Sequence, residues 1–165
     1  MKKIIIVMVS ACLCVFSFFG CVYTFSGSTL PSNVKTVEIP LFENNALVQG
    51  VAERITDVLS QKISREKLTL VAKNGDSYIG GNVVAYRNSA QDYSGDRNSL
   101  TIKTYSVEIV ADIVFFDNKN AKEIYKGRII SIGNYDFSNE TEEDGKRRAI
   151  DDITDKILQN SVKSW

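Results

Sequence analysis

Two periods of apolar residues alternate along the chain and outline its elements. Val34-Lys35-Thr36-Val37-Glu38-Ile39-Pro40 alternates apolar and polar positions, the period of a half-buried strand, and Pro40 closes it. Val48, Val51, Ala52, Ile55, Val58, Leu59 and Ile63 follow at intervals of three and four. This spacing predicts an amphipathic helix over Leu47 to Ser64, capped by Asn44 or Asn45, with Glu53, Arg54, Asp57 and Lys62 toward solvent. Lys67 to Lys73 reads as a short strand, Asn74-Gly75-Asp76 as a turn, and Ser77 to Arg87 as a second strand. Gly80-Gly81 within it marks a bulge or a close backbone approach. Asn88 to Ser99 has loop composition.

Leu100 to Phe116 carries the strongest strand pattern. Tyr105, Val107, Ile109, Ala111, Ile113 and Phe115 share one face. Ser106, Glu108 and Asp112 lie on the other, joined by the apolar Val110, Val114 and Phe116. A turn at Asp117 to Asn120 and a run from Glu123 to Phe137 complete a long hairpin. Asn139 and Glu142 have the spacing of a capping box, and Glu142, Glu143 and Asp144 suit a helix N-terminus. The last helix is expected over Thr141 to Lys163, burying Ala149, Ile150, Ile153, Ile157 and Ser161. Two such helices need one apolar sheet face to cover. The expected fold is therefore α+β: a two-layer sandwich with two helices packed on one face of a mostly antiparallel sheet. Val110, Val114 and Phe116 would then meet either a partner protein, or the 88–99 loop or a neighbouring strand.

The N-terminus changes the picture. Met1-Lys2-Lys3 precedes an apolar run from Ile4 to Phe19, the pattern of a secretory signal. The run is short for a membrane span, although a retained anchor helix is the alternative. Phe18 and Gly20 do not form the spaced small pair of ordinary cleavage. Gly20-Cys21 instead places a small residue directly before a cysteine, as lipoprotein signals do, with Phe18 departing from the usual leucine. Residues 1–20 are thus read as a lipoprotein signal peptide, 21–33 as a lipidated tether and 34–165 as one domain. Cys12 and Cys14 leave with the signal, so Cys21 is the single remaining thiol, and lipidation gives it a use. The alternative for Cys21 is a plain small residue of an anchor helix. A diacylglyceryl group supplies two chains at once, and each buried methylene contributes about 0.8 kcal/mol to anchoring. Val22, rather than aspartate, follows the cysteine, which points to the outer membrane.

Composition excludes more than it proposes. The full chain balances 20 basic against 20 acidic residues, so loss of Lys2 and Lys3 leaves a slight acidic excess. Nucleic acid is a poor partner for such a surface. With no histidine and no internal thiol in the mature chain, the commonest general base and the usual zinc ligands are missing. No phosphate loop or nucleophile elbow is present. No catalytic residue, cofactor or metal is therefore assigned. Carboxylates abound, yet Glu142-Glu143-Asp144 and Asp151-Asp152 read as solvated helix faces, and a carboxylate hydrolase is the least favoured reading. Lys146-Arg147-Arg148 is the one compact basic cluster. It either touches an anionic group or pairs along its helix, as Glu142 with Lys146 and Asp144 with Arg148. Lys119 and Lys122 at the hairpin tip are a second such candidate.

The segment from Cys21 to Ala46, CVYTFSGSTLPSNVKTVEIPLFENNA, resembles the mature N-terminus of the lipopolysaccharide-assembly lipoprotein LptE family. The Y-x-F-S-G after the cysteine, the Leu-Pro step, VKTVEIP and F-E-N-N carry the resemblance, and the later elements follow in order. It implies a non-enzymatic outer-membrane lipoprotein that plugs a large β-barrel, LptD, assists its assembly and helps deliver lipopolysaccharide to the cell surface. Basic residues contact lipopolysaccharide in some members, but their positions have no match here. Only Cys21 is carried over, as the lipidation site. The alternative is a free-standing periplasmic lipid-binding or structural lipoprotein without a barrel partner.

Overall fold

The structure, a computed structural model, describes residues 34–66, 68–94 and 101–163. The expected signal peptide, Cys21 and the expected tether at 21–33 lie outside the described residues. β1 (Thr36–Glu38) and β2 (Glu43–Asn44) lead into α1 (Val51–Ile63). β3 (Thr69–Val71), β4 (Ser77–Ser94), β5 (Thr101–Asp117) and β6 (Lys122–Asp136) precede α2 (Glu142–Leu158), which ends in a wider π-type turn at Gln159–Lys163. The six strands form one sheet in the order β3-β1-β4-β5-β6, with β2 on β4 beyond β1. β1 runs parallel to β3 and β4, whereas β4, β5 and β6 form an antiparallel meander.

The fold is the expected α+β arrangement, with both helices on one sheet face. The apolar stripes explain the packing. Val51, Ile55, Leu59 and Ile63 of α1 and Ala149, Ile153 and Ile157 of α2 are fully buried. They meet Val107, Ile109, Ala111, Ile113 and Phe115 of β5, with Ile79 and Val83 of β4, in one core. Tyr105, expected on that face, is half-buried at its end and stacks on Tyr135 at 5.6 Å between centroids. The helices also hold each other through charge. Lys62 Nζ donates to Asp155 Oδ1 at 2.8 Å and to the Asp151 carbonyl at 3.0 Å.

Several boundaries differ from the sequence pattern. α1 starts at Val51, not Leu47, because Leu47 and Gly50 both have positive φ, 57° and 78°. A left-handed residue cannot continue a right-handed helix. Gly50 is the N-cap, and the Asn44 amide instead donates to the Val48 carbonyl at 2.8 Å, bracing the loop. At α2 the cap is Thr141 rather than Asn139. Its N–H and hydroxyl both donate to the Asp144 carboxylate at 2.9 Å.

β1 is three residues long, shorter than the alternation suggests. The Gly80-Gly81 step stays in register, and the first of three irregularities in the β4–β5 pairing falls between Val83 and Ala85. β4 continues through the supposed loop as far as Ser94, pairing Asn88 with Val107 and Ser94 with Thr101. Polar residues suit a ribbon whose faces have little to cover, so composition alone does not separate it from a loop. Residues 95–100 of that expected loop lie outside the described residues.

Candidate partner-binding face

The sheet face opposite the helices is built by register. Outward positions of β4, β5 and β6 align in cross-strand rows: Gly80–Val114–Lys126, Asn82–Asp112–Arg128, Ala85–Val110–Ile130 and Arg87–Glu108–Ile132. β2 extends the second row, since Glu43 pairs with Asn82. No described helix covers this face. Apolar residues therefore stand on it beside charged ones.

Ile130 and Ile132 are 50% and 54% exposed. Val114 and Phe116 are half-buried, on the outer face as the alternation predicts. Val110 is buried although it points the same way. Its neighbours along β5 on this face are Glu108 and Asp112, each clamped by an arginine from an adjacent strand. Arg87 hydrogen-bonds Glu108. Arg128 is bidentate on Asp112, with Nε to Oδ1 at 2.7 Å and Nη2 to Oδ2 at 2.8 Å. In the register Val110 lies between Ala85 of β4 and Ile130 of β6. The hydrogen bonds from Arg128 hold the Asp112 carboxyl below the usual carboxylate range, and the same contact pushes the guanidinium up. The pair stays charged at neutral pH.

The basic candidates turn inward on the protein's own acids. Lys146 pairs with Glu143 and Arg147 with Asp144, each at 2.9 Å. Arg148 pairs with Glu140 and donates to the Asn134 carbonyl at 2.6 Å. These partners replace the expected Glu142–Lys146 and Asp144–Arg148 pairs, but the cluster is neutralised along its helix all the same. Glu142 is engaged elsewhere: it accepts from the Tyr86 hydroxyl at 2.5 Å and from the Asn88 amide at 2.9 Å. Burial, reinforced by that hydrogen bond to Glu142, pushes the Tyr86 phenol up. At the hairpin tip Lys119 binds Asp76 at 2.9 Å, while Lys122 is exposed. Asp76 also accepts the N–H groups of Lys35 and Thr36, which ties the start of β1 to the tip. All of these basic candidates but Lys122 thus engage the protein's own acids, and among the described residues no helix packs on the outer sheet face.

Ile130 and Ile132 escaped the sequence reading. Ile129-Ile130-Ser131-Ile132 puts apolar residues on both faces of β6, so the inward pair hid the outward one. Their alternation with Ile129 and Ser131 was the available signal.

A family model described as "LptE: Lipopolysaccharide-assembly" matches residues 34–161. No curated protein matches the chain. Among solved structures, protein XCC0632 from Xanthomonas campestris aligns with a TM-score of 0.53 at 10% identity, covering 76% of this chain and 81% of that one. The hypothetical protein CT253 from Chlamydia trachomatis gives 0.51 at 8% identity, covering 78% and 98%. A PelC dodecamer subunit from Paraburkholderia phytofirmans gives 0.50 at 11% identity, covering 81% and 92%. At these identities the three share the fold.

Proposed function

The chain belongs to the LptE lipopolysaccharide-assembly family, and from that premise we propose that it is a lipid-anchored outer-membrane plug and assembly factor for an LptD-type β-barrel. The observation that carries the reading is the uncovered outer face of β4, β5 and β6. Exposed Ile130 and Ile132 lie there beside two ion-paired rows. A barrel lumen is polar, in contrast to the apolar band that faces lipid. A face that mixes apolar ridges with fixed charge pairs suits such a wall better than it suits lipid.

In this reading Cys21 carries the lipid, residues 1–20 are removed, and the tether at 21–33 spans from membrane to domain. The domain acts by binding and places lipopolysaccharide delivery in the barrel's path without a reaction of its own. Isolation through a C-terminal tag from detergent-solubilised outer membranes tests it. One large β-barrel recovered in near equal amount is the expected result. A membrane-bound, intact protein recovered without a barrel would sink the reading in favour of a free-standing lipid-binding lipoprotein. Cys21→Ser should move the protein from the membrane fraction to the soluble one.

A further inference from the structure

We infer that Val22, Tyr23, Thr24, Phe25 and Ser26 add to the free edge of β3 as an antiparallel strand, so that the chain after Cys21 is docked on the domain. What this does to the anchor rests on the lipoprotein reading; the docking itself does not. β3 ends the sheet. It runs parallel to β1, with Thr69 beside Thr36 and Leu70 beside Val37. The Thr69 N–H donates to the Lys35 carbonyl at 2.9 Å. In a parallel ladder this directs the N–H and C=O of Thr69 and Val71 toward β1 and those of Leu70 away from it. Among the described residues nothing pairs with that side. The Leu70 side chain is a second unmet surface. Its register partner Val37 is fully buried in the core, yet Leu70, on the same face, is 36% exposed. The opposite edge of the sheet is closed by the protein's own cations, Arg148 on the Asn134 carbonyl and Lys156 on the Ile130 carbonyl. β3 has no such guard among the described residues.

The edge specifies its occupant. An N–H and a C=O side by side call for another extended backbone, and the exposed leucine calls for a large apolar side chain on it. The chain brings both within reach. Lys35 is fixed one strand in from this edge, by its carbonyl on Thr69 and by its N–H donating to Asp76 Oδ2 at 2.8 Å. Upstream, Val22, Tyr23, Thr24 and Phe25 are all strand formers, and Tyr23 and Phe25 share one face. That face covers Leu70. Residues 27–33 make the connection, with Gly27 and Pro31 to turn the chain. Crossing β3 takes two strand spacings, about 10 Å, and these seven residues reach about 20 Å. So short a link holds the segment near the edge at an effective concentration of about a millimolar, which favours it over a strand from another molecule. With 22–26 in the sheet, the acylated cysteine stands at the edge of β3. A free spacer over 22–33 would let it stand up to about 40 Å away. The lipid thus holds the domain directly against the membrane surface.

Amide hydrogen exchange on residues 21–165 carrying Cys21→Ser tests the docking in solution. The Leu70 N–H should exchange at least tenfold more slowly than in a chain that begins at Gly27. The Thr69 and Val71 N–H groups, already bonded to β1, should change less. Equal exchange of Leu70 in the two chains would overturn the strand. A photoreactive residue in place of Leu70, in the full lipidated chain, should crosslink to residues 22–26 of the same molecule. A crosslink to another polypeptide would overturn the docking and make β3 a site for a partner's strand. Retention of the Cys21→Ser full chain in the membrane fraction would overturn the anchor's part and leave the strand standing. None of these readouts needs the barrel, so the plug reading stands or falls separately.

Discussion

Gly133 of β6 lies directly beneath Gly145 of α2: a Cβ placed on Gly133 would sit 1.9 Å from the Gly145 carbonyl oxygen. The reciprocal Cβ on Gly145 would fall 2.6 Å from the Tyr135 ring and 3.0 Å from the Gly133 carbonyl. Backbone meets backbone here, so neither side can yield by turning a side chain. This contact sets how deeply α2 settles on the sheet.

Gly133→Ala should therefore lift the N-terminal half of α2. Overpacking of this kind costs about 2 kcal/mol or more. For a domain of this size that lowers the melting temperature by about 8 °C. Gly50→Ala is the contrast. Its Cβ would meet nothing within 4 Å, so only the positive φ of 78° is strained. That strain costs about 1 kcal/mol. Thermal melts of both variants, followed by circular dichroism, check the order. Equal destabilisation by the two would mean that α2 adjusts freely.

Arg148 and Lys156 guard the open edge of β6. Arg148 donates to the Asn134 carbonyl at 2.6 Å and Lys156 to the Ile130 carbonyl at 2.8 Å. Eight helical residues rise about 12 Å, and four strand residues span about 13 Å. The two cations therefore reach alternate outward carbonyls of a strand running antiparallel to their helix. Exposed edges recruit other strands unless blocked. Arg148→Ala with Lys156→Ala should raise self-association above the parent chain in the same detergent. Sedimentation velocity measures it, and an unchanged distribution would show that other features protect the edge.

Acid should loosen the same region. Hydrogen bonds from Arg148, and then the Asp136 N–H, hold the Glu140 carboxyl down at about 2, against an ordinary value of 4.5. A carboxylate depressed in the folded state stabilises it fully above the unfolded value, and that stabilisation drains away as pH falls through the folded one. The contribution of Glu140 is thus complete above pH 4.5 and fades toward about 2. Urea midpoints of the parent chain should exceed those of Glu140→Gln at neutral pH, with the gap closing across that window. A gap independent of pH would assign Glu140 a role other than charge.

The helices and the inner face of β5 were legible because each repeats one period over many residues. Ile55, Leu59 and Ile63, or Ile109, Ile113 and Phe115, announce their face without help from elsewhere. Backbone conformation was not legible. Leu47 and Val48 continue the apolar character of α1, and nothing in their side chains reveals the left-handed turns that delay its start. The outer face was half legible. Val110, Val114 and Phe116 stood out against polar neighbours, but the row from Glu43 to Arg128 depends on three separate strand pairings, β2 on β4, β4 on β5 and β5 on β6. A pattern along one strand carries no record of its neighbours' register. Cys21, the residue that speaks most directly for a tether, lies outside the described residues and rests on the sequence alone.

Ile130 and Ile132 give the sharpest separation between folding and binding. Both point away from the core and are about half exposed, 50% and 54%. Exposed positions contribute little to stability, typically within about 0.5 kcal/mol on substitution. Aspartate at both should lower the melting temperature of the free chain by only a few degrees, because aspartate in a strand costs up to about 1 kcal/mol per site. In the complex the same carboxylates would be buried against the partner beside Glu108 and Asp112, next to two ion pairs that already use their arginines. An uncompensated charge at an interface carries a large desolvation cost, so recovery of the barrel should fall at least tenfold. Aspartate at Asp57-flanking Val58 on α1, half-buried away from this face, would mix the two effects and is a poor control; Gln61→Asp on the exposed side of α1 is the better one. Loss of the barrel with the sheet variant and retention with the helix variant assigns docking to the outer face. The reverse result would move the interface to the helices and require the sheet's isoleucines to be covered by something else.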